Sequence, residues 1–249
     1  MEEIDTILAY KTSPKIVQRK DSFLFSVDST ILSFFLNIKS RCNHIIDLGC
    51  GTGIIPLTLS LLTNAKIDAI DIQKDLCDLL NKSVKLNHLE NQINVINDDI
   101  KGISKKLGYS KYDLVVSNPP YFKVSDESIK CEKENKTIAR HEVLITLEDI
   151  VKESSILLKD GGSFSMVQRV DRFIETIELL KKYRLTPKRI RFVYSKKGEE
   201  SYIFLIDSRK NTSNEVLKIY DPLYVYDADG SFSKEILSYY HYGEEDEKK

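Results

Sequence analysis

From about residue 44 onwards, apolar and polar positions along the chain alternate between two rhythms. Short apolar runs that suit buried strands recur at His44–Leu48, Lys66–Asp71, 93–96 and Tyr112–Ser117. Longer stretches with helical spacing lie between them. Ile54–Leu62 predicts a helix with Pro56 in its first turn, where a missing N–H does no harm. The stretch 75–87 puts Leu76, Leu79, Leu80, Val84 and Leu86 mostly on one helical face. Such strand–helix alternation predicts an α/β fold with a doubly wound, mostly parallel sheet.

The second half predicts a helix at 146–158 closed by a turn at 159–162, a strand at 163–168 and a helix at 171–183. Two further strands, 188–194 and 202–206, are joined by a loop too short for a parallel crossover. They predict an antiparallel hairpin at the C-terminal edge of a sheet of about seven strands. Before the first core strand, residues 23–29 lead into the apolar run 30–36. Two readings stay open there: Asp28 or Ser29 caps a helix, or the element lies over a cofactor. The expected organisation is an N-terminal extension (1–42) packed on a catalytic domain (43–210), a small appendage (211–242) and a disordered tail (243–249).

The 249 residues carry 37 basic and 38 acidic side chains, so no global positive field exists and any nucleic acid needs a local patch. Cys42, Cys50, Cys77 and Cys131 show neither a metal-ligand nor a disulfide spacing. They argue against structural zinc and for a reducing compartment. No apolar run approaches the roughly 18 residues that span a bilayer, and the N-terminus lacks the apolar core of a signal peptide. A soluble cytoplasmic protein is expected.

Chemistry enters at Asp47-Leu-Gly-Cys-Gly-Thr-Gly53, which follows a strand and opens a helix. Gly49, Gly51 and Gly53 allow a sharp turn and close approach of a ligand. The spacing is not that of dinucleotide binders, and Asp47 is a poor neighbour for pyrophosphate but a good one for an α-ammonium group. Asp71 ends the second strand, placed to accept from ribose hydroxyls; Ile72 can pack on an adenine face, and Asp99 can accept from its exocyclic amine. Three acids at successive strand ends favour S-adenosylmethionine over NAD.

Ser117-Asn-Pro-Pro-Tyr121 ends the fourth strand. The bland alternative is a proline turn that stops a strand. The chemical reading uses every residue. An adenine exocyclic amine is a poor nucleophile because its lone pair is delocalised into the ring. The Asn118 side-chain oxygen and the Pro119 carbonyl can hold its two N–H groups and free that lone pair. Pro119 and Pro120 stiffen the backbone so the carbonyl is aimed in advance, and Tyr121 offers a stacking face. Neither a metal nor a strong base is required.

With these motifs the chain resembles the class I (Rossmann-like) methyltransferases that carry N-P-P-Y. It resembles most the bacterial tRNA1(Val) adenine-37 N6-methyltransferase family, through residues 25–29, 47–56, 118–122, 139–142, 187–193 and 222–226. The resemblance implies transfer of a methyl group from S-adenosylmethionine to the N6 amine of adenine 37 in a valine tRNA by a monomeric enzyme. It implies Asn118 to Tyr121 as the catalytic motif and Asp47, Gly49, Gly51, Asp71 and Asp99 as cofactor contacts. Relatives often carry Glu where Asp71 stands, and either can chelate a ribose diol.

Residues 181–197 hold eight basic and no acidic side chains, with Tyr183, Phe192 and Tyr194 interleaved; this predicts an RNA-contacting patch. The long loop 122–141, with Lys123, Lys130, Lys133, Lys136 and Arg140, is expected to be a mobile substrate loop, and His141 is given no catalytic role. Two alternatives to tRNA methylation are a protein glutamine N5-methyltransferase and a non-catalytic RNA-binding protein on the same fold. The first usually carries a helical N-terminal domain, for which the roughly 40 residues ahead of the first core strand leave little room. Against the second stand Asp47 and Asn118.

Overall fold

Both faces of the central strands are covered by helices, which is why their sequences read as nearly unbroken Ile, Val and Leu. The computed structural model describes residues 2–10, 13–19, 27–119, 145–212 and 216–244. An antiparallel hairpin, β1 (Glu2–Thr6) and β2 (Lys15–Arg19), precedes α1 (Val27–Phe35). There follow β3 (His44–Leu48), α2 (Ile54–Leu62), β4 (Lys66–Asp71), α3 (Lys74–Leu86), β5 (Ile93–Asn97), α4 (Ser104–Leu107) and β6 (Tyr112–Ser117). Next come α5 (Leu147–Leu157), β7 (Leu158–Arg169), a 3₁₀ turn, α6 (Phe173–Lys182), β8 (Leu185–Tyr194) and β9 (Ser201–Lys210). The described chain closes with β10 (Lys218–Ile219), β11 (Leu223–Tyr224) and α7 (Lys234–Tyr240).

The main sheet runs β10-β8-β9-β7-β6-β3-β4-β5, with β11 also on β8. Among its described strands, only β9 runs antiparallel to its neighbours β7 and β8. The expected seven-stranded, mostly parallel sheet is therefore present, with a refinement at its edge. β9 is inserted between β7 and β8, and β10 and β11 lie outside the hairpin, parallel to β8. One core layer joins α1, α2 and α3 to the sheet through Leu32, Leu57 and Leu80; the other joins α4, α5 and α6 through Ile103, Val151 and Leu180.

Several boundaries differ from the sequence reading. The stretch 159–162 is not a closing turn but part of β7, entered through a register shift between Tyr112 and Leu114 of β6. Gly162 makes that irregularity possible, since a Cβ there would sit 2.9 Å from the Lys159 carbonyl and 3.2 Å from that of Asp113. β8 starts at Leu185 and passes through Pro187 by a second shift, between Pro187 and Arg189, which spares the ladder a missing N–H. Asp28 and Ser29 lie inside α1, so they are not its cap.

The basic run 181–197 is corrected more deeply. Lys182 pairs with Glu148, Arg189 with the buried Asp207, and Arg191 makes a two-pronged contact with Glu235 on α7, while Lys188 is buried. The Arg189 guanidinium also lies 4.6 Å above the Phe35 ring. Three of the eight cations thus hold the fold together in ion pairs, one from the end of α6 and two from alternate positions of β8. Lys181, Arg184 and Lys197 remain exposed.

Gly53, the residue just ahead of α2, is left-handed at φ 94° and so close to α3 that a Cβ would sit 2.2 Å from Leu80 Cδ1. Gly53→Ala is expected to cost about 2–4 kcal/mol through overpacking and backbone strain. Urea unfolding should show a lower midpoint at unchanged slope. An unchanged midpoint would mean that α3 withdraws freely.

Candidate active site

The carboxyl ends of β6, β3, β4 and β5 are neighbours in that order, so one edge of the sheet carries Asn118, Asp47, Asp71 and Asp99 in sequence. At about 4.8 Å per strand the row extends over roughly 15 Å. Ser117 Oγ donates to the Leu48 carbonyl at 2.7 Å and ties the first two strand ends together.

Asp47 is fully buried, and neither of its carboxylate oxygens has a hydrogen-bond partner among the described residues. Burial, and after it the nearby charge of Asp71, pushes its pKa well above the carboxylate range. Burial, Asp47 and Asp71 likewise raise the thiol of Cys50, which is no nucleophile here. A cation at this place would compensate the Asp47 carboxylate.

The glycine turn is built around these acids. Gly49 and Gly51 have φ of 82° and 53°, and the space a side chain would fill at each is open. The N–H groups of Gly49 and Cys50 both donate to the Ile70 carbonyl at 2.9 Å, and that of Gly53 donates to the Cys50 carbonyl. Asp71 takes the Gly51 N–H on one oxygen and the Gln73 N–H on the other, each at 2.9 Å. The turn's donors at Gly49, Cys50, Gly51 and Gly53 are thus engaged inside the protein, and what it offers is room beside a buried negative charge. Gly53 faces Leu80 and not this space.

Beyond Asp71, Ile72 is 38% exposed at the rim, and Asn97 Nδ2 donates to the carbonyls of Asp71 and Ile72 at 3.0 Å. The half-buried Asp99 spends one oxygen on the Lys101 N–H at 2.8 Å, leaving the other as an acceptor. At the opposite end of the row, Asn118 is half-buried and Pro119 buried. Asn118 Nδ2 donates to Ser29 Oγ of α1 at 2.8 Å, and no described residue bonds its side-chain oxygen. Sequence reasoning missed that contact; the only signal near it is the family resemblance over 25–29, which names no partner for Ser29. Pro120, Tyr121 and the loop 122–141 lie outside the described residues.

Away from the run 181–197, Lys101, Lys105 and Lys152 border a groove of about 410 Å³ between α4 and α5, together with Tyr109, Asp149 and Glu153. Tyr109 is 66% exposed. Lys101 pairs with Asp149. Among the described residues no group of three His, Cys, Asp or Glu is placed to hold a metal ion, and no helix is long and apolar enough to cross a membrane.

Residues 26–193 match the family model of the methyltransferase small domain. A tRNA1(Val) (adenine(37)-N6)-methyltransferase of Parabacteroides distasonis is 34% identical over 149 residues, or 60% of this chain and 61% of that protein. The match therefore spans less than two thirds of that relative's length. A protein of the same name from Phocaeicola vulgatus is 30% identical over 173 residues, covering 70% of this chain and 71% of its own. Among solved structures, one described as a predicted O-methyltransferase from Agrobacterium tumefaciens shares the fold. Its TM-score is 0.68 at 19% identity, over 86% of this chain and 95% of that one.

The uncompensated Asp47 makes a prediction for the ligand-free protein. Its proton is held to higher pH in the folded than in the unfolded chain, so the group subtracts from stability as pH rises from the ordinary carboxylate range to the raised value. Asp47→Asn is expected to be the more stable protein, by about 1–3 kcal/mol once that range is passed. Thermal midpoints of the pair should diverge with rising pH across the window, and converging midpoints would contradict it.

Proposed function

The chain belongs to the methyltransferase small domain family, and from that premise we propose that it methylates the exocyclic N6 amine of an adenine in tRNA, adenine 37 of a valine tRNA. The observation that carries this reading is the single row of Asn118, Asp47, Asp71 and Asp99, with an acceptor oxygen that no described residue bonds at one end and beside it a buried carboxylate that no described residue hydrogen-bonds. S-adenosylmethionine fits that row, since its amino-acid end bears the ammonium group an orphaned Asp47 calls for. When bound it supplies a sulfonium methyl group open to attack by a nitrogen lone pair.

The chain's own residues do the rest. Asp47 holds the ammonium group, while Gly49 and Gly51 leave space for the amino-acid end and Gly53 shapes the turn. Asp71 accepts from ribose, Ile72 covers the adenine of the cofactor, and Asp99 accepts from its amine. Asn118 Oδ1 and the Pro119 carbonyl take the two N–H groups of the substrate amine and release its lone pair, and Pro120 and Tyr121 complete the motif by fixing the backbone and stacking on the base. The surplus proton leaves to water after transfer, so neither a metal nor a strong base takes part. The protein works as a monomer in the cytoplasm, where its substrate is. Lys105 and Lys152, which have no partner among the described residues, meet the RNA backbone beside the groove between α4 and α5.

Labelled methyl transfer to total tRNA from cells lacking the modification tests the reading, with N6-methyladenosine as the expected product. Label appearing on a protein glutamine instead would refute it. Asn118→Ala should reduce transfer at least about a hundredfold while the cofactor still binds, as removal of a preorganised transition-state hydrogen bond does. Lys105→Glu with Lys152→Glu should weaken tRNA binding and flatten its salt dependence by about one unit for each phosphate no longer neutralised. An unchanged slope would exclude that surface.

A further inference from the structure

An asparagine amide has two nearly isosteric ends. Turned one way, Asn118 presents an acceptor oxygen to the substrate amine; turned the other way, it presents N–H groups that oppose those of the amine. The terminal torsion of asparagine is broad, so the side chain's own preferences do not choose between them. In this structure a contact from outside β6 holds one of the two. Asn118 Nδ2 donates to Ser29 Oγ at 2.8 Å, across 89 residues of sequence. With the nitrogen engaged there, the oxygen is left to face the reaction.

We infer that Ser29 is a positioning residue for methyl transfer, setting the orientation of the Asn118 amide. The inference rests on the role proposed above for Asn118. Ser29 is itself held firmly. Its carbonyl accepts from Ser33 Oγ at 2.8 Å within α1. The far end of α1 is gripped by C-terminal elements: Phe34 stacks on Tyr239 of α7 at 4.8 Å, and Phe35 lies edge-on to Tyr220 at 6.3 Å and under Arg189. Arg191 in turn fastens α7 by its two-pronged contact with Glu235. The N-terminal element thus reaches the reacting end of the row as a braced arm carrying one hydroxyl.

Removing the hydroxyl frees the amide to rotate, which lowers the fraction of enzyme in the reactive orientation without touching the cofactor's end of the site. Ser29→Ala is expected to lower kcat for tRNA roughly tenfold, the value of one neutral hydrogen bond expressed in the transition state. The KM for S-adenosylmethionine and the thermal midpoint should stay as they are. Ser29→Thr, which keeps the hydroxyl at a half-buried position, should recover most of kcat. The proposal is overturned if Ser29→Ala leaves kcat unchanged, if its defect is not recovered by Ser29→Thr, or if the defect appears as a raised KM for the methyl donor or a lowered midpoint. Asn118→Ala is measured alongside. Its full activity would overturn the acceptor role of Asn118 itself, an outcome distinct from failure of the serine alone.

Discussion

A buried carboxylate with no cation beside it is the constraint around which this molecule is arranged. Asp47 sits at the end of β3 with both oxygens unpaired and a second acid, Asp71, at the end of the adjacent strand. Unpaired burial of charge is costly enough that a fold keeps it only where something else completes the site. Here the completing group must be positive. The glycine turn agrees, since its donors at Gly49, Cys50 and Gly51 are tied to Ile70 and Asp71 and are not spread out for an anion. A pyrophosphate-binding turn has the opposite design, with N–H groups left free to face the ligand. The charge of the site, more than its glycines, separates a methyl-donor site from a dinucleotide site.

Topology converts that local chemistry into a reaction geometry. Because β3 lies between β4 and β6, Asp71 and Asp99 fall on one side of Asp47 and Asn118 on the other. In the proposed reaction the cofactor and the substrate amine therefore meet next to the buried acid. The crossovers that produce this order use α2 and α3, and Gly53 lets them approach closely enough for Leu80 to fill the place of a side chain. On the other flank, segments from both ends of the chain close over the sheet. α1 and α7 meet through Phe34 and Tyr239, and Arg189 and Arg191 of β8 secure them to it. The N-terminal region and the C-terminal segment act as one brace, which is why cations that looked available for RNA are committed within the protein.

Most of the fold was legible because it is written in local pattern. Period-two and period-3.6 apolar spacing identified the strands from β3 to β9 and the helices between them except the short α4, and the short link between β8 and β9 required them to be antiparallel. The same holds for Asp47, Asp71, Asp99 and Asn118, whose chemistry is suggested by residue type at a strand's end. The boundaries at 159–162 and at Pro187 were not legible, because a glycine and a proline that ordinarily end elements are absorbed by register shifts in the neighbouring strand. The hairpin of β1 and β2 left no clear signal either. β2 is held against α3 and the residue that follows it, where Ser83 accepts the Val17 N–H and Asn87 that of Lys15.

By itself, then, the sequence determined which residues could carry methyl-transfer chemistry and that they would gather at one sheet edge, since strand ends and apolar period are properties of neighbouring residues. Only the tertiary structure decided which of those groups are free to act. It left Asp47 without a hydrogen-bond partner among the described residues, engaged Asp71 with Gly51, consumed three of the eight cations of the basic run in ion pairs, and set Ser29 against Asn118. Each of these depends on contacts between positions far apart in the chain, and a linear pattern records how a residue is buried but not what meets it there.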